Sequence, residues 1–152
     1  MPGTERIDFY VLDGRAPAQR WNFACRLAAK AYQQNLRVIV WNGTAADAKT
    51  CDDMLWTFND GSFVPHQISA GAELRDRTTP VHLTLALEDV DAADLLINLA
   101  DRLPDRLPRF ARLAEIIDAD PERRRLGRER FKAYREAKLE LQTHQVSDGA
   151  DG

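Results

Sequence analysis

Apolar and polar residues alternate between two periods along this chain, and the alternation predicts its elements. Residues 7–12, IDFYVL, read as a short strand closed by Asp13 and Gly14. Over residues 17–34, Trp21, Ala24, Cys25, Ala28, Ala31 and Tyr32 recur at spacings near 3.6, which predicts a helix, and Asn35 is a suitable stop. Residues 37–41, RVIVW, are almost wholly apolar and β-branched, the pattern of a central strand covered on both faces. Strand, helix, strand with a long middle segment makes a right-handed crossover. Thr44 can cap a second helix running to about Thr57 with Ala48, Cys51, Met54 and Leu55 inward, so a parallel α/β order is expected.

The second half is less regular. A polar turn at 59–62 leads to an extended segment at 63–66, and residues 68–79 read as a loop closed by Pro80 before a strand at 81–85. LLINL at 95–99 reads as a further strand, although residues 92–103 can also be drawn as a helix on propensity. Pro104 and Pro108 break the chain, and an apolar element at 110–117 feeds a helix predicted from Asp120 to Leu141. The last residues have little to bury, which predicts one domain over 1–143 and a disordered tail over 144–152.

Charge is uneven. The helix at 122–140 carries eight bases against four acids, a local +4 in a chain of net −3, which leaves −7 for everything else. Its periodicity predicts a core stripe of Leu126, Ala133, Tyr134, Ala137 and Leu141 beside a second stripe of Arg124, Arg128, Phe131, Lys132 and Arg135. An aromatic ring among four cations has two readings. One is a solvated face whose arginines pair with Glu129 and Glu136; the other is a recess for an acidic, apolar-ended peptide or a nucleic-acid backbone.

Composition narrows the function classes. With 44% hydrophobic and 30% charged residues in 152, the chain has the balance of a globular domain. No apolar run approaches the ~20 residues of a membrane helix, and the start MPGTERIDFYV lacks a signal-like apolar core, so a cytoplasmic address and no membrane partner are expected. Cys25 and Cys51 have no CxxC spacing and are expected as free thiols. DGRAPAQ lacks the glycine spacing of a dinucleotide turn, no phosphate-binding loop occurs, and WNGT holds a single glycine. His66, His82 and His144 have no ligand-like neighbours, and Asp52 and Asp53 read as solvated, so no metal, cofactor or catalytic residue is expected. Trp41 reads as core, whereas Trp56 and Phe63 flank a turn where core closure and a protein interface are both open.

FYVLD at 9–13, LW at 55–56, SFVPH at 62–66 and above all RERFKAYR at 128–135 together resemble the chi-subunit family of bacterial DNA polymerase III holoenzyme. The resemblance covers nearly the whole chain from Ile7 to Leu141. It implies a Rossmann-like three-layer α/β fold with a mixed, mostly parallel sheet, without a nucleotide-binding loop or catalysis. It implies two partners, the psi subunit, which tethers such proteins to the clamp loader, and the acidic C-terminal tail of single-stranded-DNA-binding protein. On that basis Arg124, Arg128 and Lys132 are expected to face the tail, Phe131 to form the pocket aromatic and Ile117 an apolar wall. The aromatic is often tyrosine in the family, so one hydroxyl is absent here. Trp56 and Phe63 resemble residues of the psi-facing surface, where a helicase-like protein is a competing partner. Lys138 stands where members of the family have glycine, which predicts a longer helix end.

Three hypotheses follow. A non-enzymatic adaptor explains the cationic, aromatic stripe on an acidic body. A direct single-stranded nucleic-acid binder would use the same stripe through phosphates, but the formal −7 elsewhere opposes a long backbone and makes DNA contact mainly indirect. A small nucleotide-binding enzyme is opposed by the missing glycine motifs.

Overall fold

The computed structural model describes residues 4, 6–14, 16–57, 64–104 and 110–146. Seven strands and three α-helices follow one another as β1 (Arg6–Leu12), α1 (Pro17–Gln33), β2 (Val38–Trp41), α2 (Ala45–Thr57), β3 (His66–Ile68), β4 (Val81–Thr84), β5 (Ala93–Asn98), β6 (Phe110–Ile117), α3 (Pro121–Glu136) and β7 (Leu141–Val146). The strands form one sheet in the order β3-β4-β2-β5-β6-β1-β7, and each pairing between them is parallel. A sheet that is at least mostly parallel therefore stands, with no antiparallel pairing among the described residues.

Both faces are covered, which is why VIVW in β2 and VHLT in β4 are buried at every position. On one face α1 and α2 pack Phe23, Ala24, Cys51 and Leu55 against Val38, Val40, Ile97 and Ile116. On the other, α3 sets Phe131 and Tyr134 against Ile7, Phe9, Leu113 and Ile117. The result is a three-layer α/β arrangement of Rossmann-like kind.

At the carboxyl ends of β5 and β6, the side of an open α/β sheet where ligands are held, a side chain of the chain itself bonds the backbone. Buried Arg20 donates from Nε to the Ile116 carbonyl at 2.8 Å and from Nη2 to Asp101 at 2.6 Å. Cys25 and Cys51 are both free and buried. Hydrogen bonding to Cys51 and burial push the Cys25 thiol well above its ordinary range.

Several expectations are corrected. At 92–103 the strand reading holds and the helix alternative falls, since β5 spans Ala93–Asn98. The expected loop at 68–79 includes the end of β3 and a 3₁₀ turn at Gly71–Arg75 that buries Leu74. The last helix stops at Glu136, not Leu141, because Lys138 takes φ 63° and turns the chain out of the helix. A left-handed residue at this place is a glycine's task, so the lysine ends the helix where a longer one was expected. The tail predicted from residue 144 is also corrected, since residues 141–146 form edge strand β7 beside β1. His144 belongs to that strand, its Nε2 lying 2.9 Å from Asp8 Oδ1 and its ring stacking on Tyr10. The polar turn at 59–62, Phe63 and residues 147–152 lie outside the described residues.

Candidate functional site

Helix α3 begins where Asp120 accepts the Arg123 amide at 2.9 Å and Pro121 supplies a first-turn residue that needs no N–H partner. Its docking to the sheet combines the apolar packing of Phe131 and Tyr134 with a buried polar network. Of the expected stripe only Tyr134 is buried, together with Gly127 and Arg130: Leu126 and Ala133 are half-buried, Ala137 is exposed, and Leu141 belongs to β7.

Glu115, in the second half of β6 and fully buried, is the anchor. Arg130 reaches its Oε1 from Nε and Nη2 at 3.1 and 2.9 Å, while the Tyr134 hydroxyl and Asn98 Nδ2 donate to Oε2 at 2.6 and 3.0 Å. Burial disfavours the Arg130 charge, but Glu115 and Asp101 outweigh it and hold the guanidinium more firmly protonated than usual. Burial, then Glu115, push the Tyr134 hydroxyl far up, so it remains a donor. At the helix start Arg123 pairs with Asp118 through Nε and Nη2 at 2.8 and 2.7 Å.

This docking leaves a recess of about 200 Å³ between α3 and the sheet, lined by Phe9, Val11, Ile117, Gly127, Phe131 and Thr143, with Arg124 and Arg128 at its rim. Phe9 and Phe131 meet edge to face at 5.1 Å and form the floor. Gly127 keeps it open, since a Cβ there would lie 2.8 Å from Ile117 Cδ1. Arg124 is part of the frame as well as the rim: its Nε donates to the Asp118 carbonyl at 3.0 Å and its Nη2 to the Leu12 carbonyl at 3.1 Å. Three of its N–H groups stay outside those bonds.

Four of the expected tail-facing residues, Ile117, Arg124, Arg128 and Phe131, thus share one recess. Lys132 is exposed on the same helix and outside the lining. The solvated-face reading pairs the stripe's arginines with Glu129 and Glu136, but Glu129 is taken, with Glu122, by Arg125 at 2.6 Å each, and Glu136 makes no ion pair among the described residues. Arg128 and Lys132 have no carboxylate within ion-pair distance among the described residues. Phe9, Val11, Gly127 and Thr143 were missed as wall residues. The period-two alternation of IDFYVL places Phe9 and Val11 on one face and could have found two of them.

Trp56 sits elsewhere, at the end of α2 with 57% of its surface exposed, and its ring meets His66 edge to face at 5.1 Å. His66 Nε2 lies 3.1 Å from Asp52, and Lys49 pairs with Asp53 at 2.5 Å. Helix α2 packs on β3 and β4 and α3 on β6 and β7, so the two surfaces lie toward opposite ends of the strand order. Buried His82 is structural, held by Ser69 Oγ at 2.7 Å and by the Asp76 carbonyl at 2.8 Å. Among the described residues no three potential metal ligands cluster, and no helix is long and apolar enough to cross a membrane.

Comparison with known proteins adds a family. The family model "DNA polymerase III chi subunit, HolC" matches residues 4–142. The chain is 36% identical over 141 residues to the DNA polymerase III subunit chi of Pseudomonas aeruginosa, covering 93% of this chain and 96% of that protein. It is 30% identical over 139 residues to the subunit chi of Haemophilus influenzae, covering 91% and 95%. The subunit chi of Escherichia coli is 29% identical over 140 residues, covering 89% of this chain and 94% of that protein.

Proposed function

Since the chain belongs to the DNA polymerase III chi subunit family, we propose that it works as an adaptor, seating the acidic C-terminal tail of single-stranded-DNA-binding protein in the α3 recess and holding the psi subunit through the Trp56 surface. Family membership makes the role that of a non-catalytic accessory subunit of the polymerase III holoenzyme. The observation that carries the tail assignment is the recess itself. An apolar floor of Phe9 and Phe131 next to Arg128, which lacks an acidic partner among the described residues, suits a chain end that is both acidic and aromatic.

In this reading the terminal side chain of the tail enters between Phe131, Ile117 and Gly127, and its carboxylates meet Arg128, the remaining N–H groups of Arg124, and Lys132 further along the helix. Burial of the apolar end supplies affinity that persists in salt, and the cationic rim supplies the part that salt screens. The exposed indole of Trp56 is the anchor for psi, with Phe63 as its companion, and a helicase-like protein competes for the same surface. DNA contact is mainly indirect, through the tail, because the rest of the chain is acidic.

The test is a set of three titrations of the folded protein, with a short acidic peptide ending in phenylalanine, a single-stranded oligonucleotide and ATP. The proposal expects saturable binding of the peptide that weakens from low to physiological salt and is lost when the phenylalanine is removed. Preference for the oligonucleotide would replace it with direct nucleic-acid binding.

A further inference from the structure

Strand β1 serves two recesses. Phe9 and Val11 face α3, whereas Asp8 and Tyr10 face the α1 side and line a second hollow of about 210 Å³ with residues of β5, β6 and the end of α1. That volume is below the ~300–1,000 Å³ of sites for drug-sized ligands, so a small molecule or fragment fits it. Its floor is apolar, from Leu27, Ala31, Leu36, Leu95 and Ala114. Its rim is polar, from Lys30, Gln34, Arg112 and Tyr10.

The balance of donors and acceptors points to the ligand. Asp8 is the one acid of the lining, and its carboxylate is already engaged: Arg6 Nε and Arg112 Nη2 donate to Oδ2 at 3.2 and 3.3 Å, and His144 Nε2 lies 2.9 Å from Oδ1. Burial pulls Asp8 toward the neutral form, but these neighbours outweigh it and hold its carboxyl below the usual range. Lys30, exposed in the last turn of α1, has no acidic partner among the described residues, and Arg112 keeps N–H groups beyond its single contact with Asp8. The hollow therefore presents two cationic donor groups while its one acid is already engaged, and its remaining acceptors, the Gln34 amide oxygen and the Tyr10 hydroxyl, are neutral. The nearby buried charge of Asp8 repels a dianion more than a monoanion.

We propose that this hollow is a second ligand site, separate from the α3 recess, that takes a monocarboxylate on a short apolar body. The carboxylate lies between Lys30 and the fork of Arg112, and the body lies on Leu27, Leu36 and Leu95. The site does not rest on the family reading, because it uses the opposite face of the sheet.

Amide-resolved NMR titration of the whole chain with hexanoate tests it, with hexanol as the uncharged control and inorganic phosphate as the control without an apolar body. Saturable shifts are expected at Tyr10, Lys30, Ala31 and Arg112, with neither control reproducing them. Lys30→Gln is an exposed change that leaves the fold intact and should weaken hexanoate about tenfold, while Lys30→Arg retains it. Shifts that do not saturate, that centre on Phe9, Gly127 and Phe131, or that Lys30→Gln leaves unchanged would overturn the proposal.

Discussion

The Tyr134 hydroxyl donates to Glu115 Oε2 at 2.6 Å, so the helix that carries Arg128 and Phe131 is tied to the sheet by a buried polar bond as well as by apolar packing. Removing that hydroxyl with Tyr134→Phe should cost ~1–3 kcal/mol of stability. Glu115→Gln should cost ~3–5 kcal/mol, because it leaves Arg130 charged, buried and poorly compensated. Denaturant melts of both variants measure the order, and a Glu115→Gln loss no larger than that of Tyr134→Phe would refute the anchoring role.

Gly127 is the gate of the recess. A Cβ there falls 2.8 Å from Ile117 Cδ1, so Gly127→Ala must push the Ile117 side chain into the space that the tail would use. Better helix propensity worth ~1 kcal/mol offsets the crowding, so the melting point should change little. Affinity for the acidic peptide should nevertheless fall by ~1 kcal/mol or more. Equal peptide affinity in calorimetry would show that the pocket does not need this opening.

Lys138 ends α3 at φ 63°, a conformation that favours glycine. Lys138→Gly should stabilise the domain by up to ~1 kcal/mol, since the strain relieved exceeds the extra freedom gained by the unfolded chain. A lowered melting temperature for this variant would contradict the assigned helix end.

Acid should loosen the start of α3. Burial pulls the Asp118 carboxyl up, but Arg123 and the Asp120 amide outweigh it and hold it below the usual carboxylate range. A depressed native value means that the stabilisation is fully present above the unfolded carboxylate pKa of ~3.9 and is lost as pH falls through the native value. Melting curves from pH 7 downward should show a drop below about pH 4 that is smaller in Asp118→Asn. Parallel acid profiles for the two proteins would refute this linkage.

What the sequence revealed and what it hid have the same physical origin. β2 was plain because RVIVW is apolar on both faces, and Arg124, Arg128 and Phe131 fell together because helical spacing put them on one side of α3, whereas Ile117 came only from the family resemblance. Arg130 was hidden because it is one of eight bases in that segment, and its partner Glu115 lies fifteen residues away on a strand. β7 was hidden because LQTHQV is an edge strand with half-exposed residues, and only its pairing with β1 justifies it. The end of α3 was hidden because Ala137, Lys138 and Leu139 are all good helix formers, and the backbone turns at Lys138 regardless of propensity.

The most direct test of the adaptor account is one calorimetric series in which the acidic, phenylalanine-ended peptide is titrated into the native chain, Arg128→Ala and Trp56→Ala. Both replaced side chains are exposed, so both variants should fold. The account predicts that Arg128→Ala loses ~2 kcal/mol or more of peptide affinity, while Trp56→Ala binds the peptide as the native chain does. Unchanged peptide affinity in Arg128→Ala, or equal losses in both variants, would contradict it.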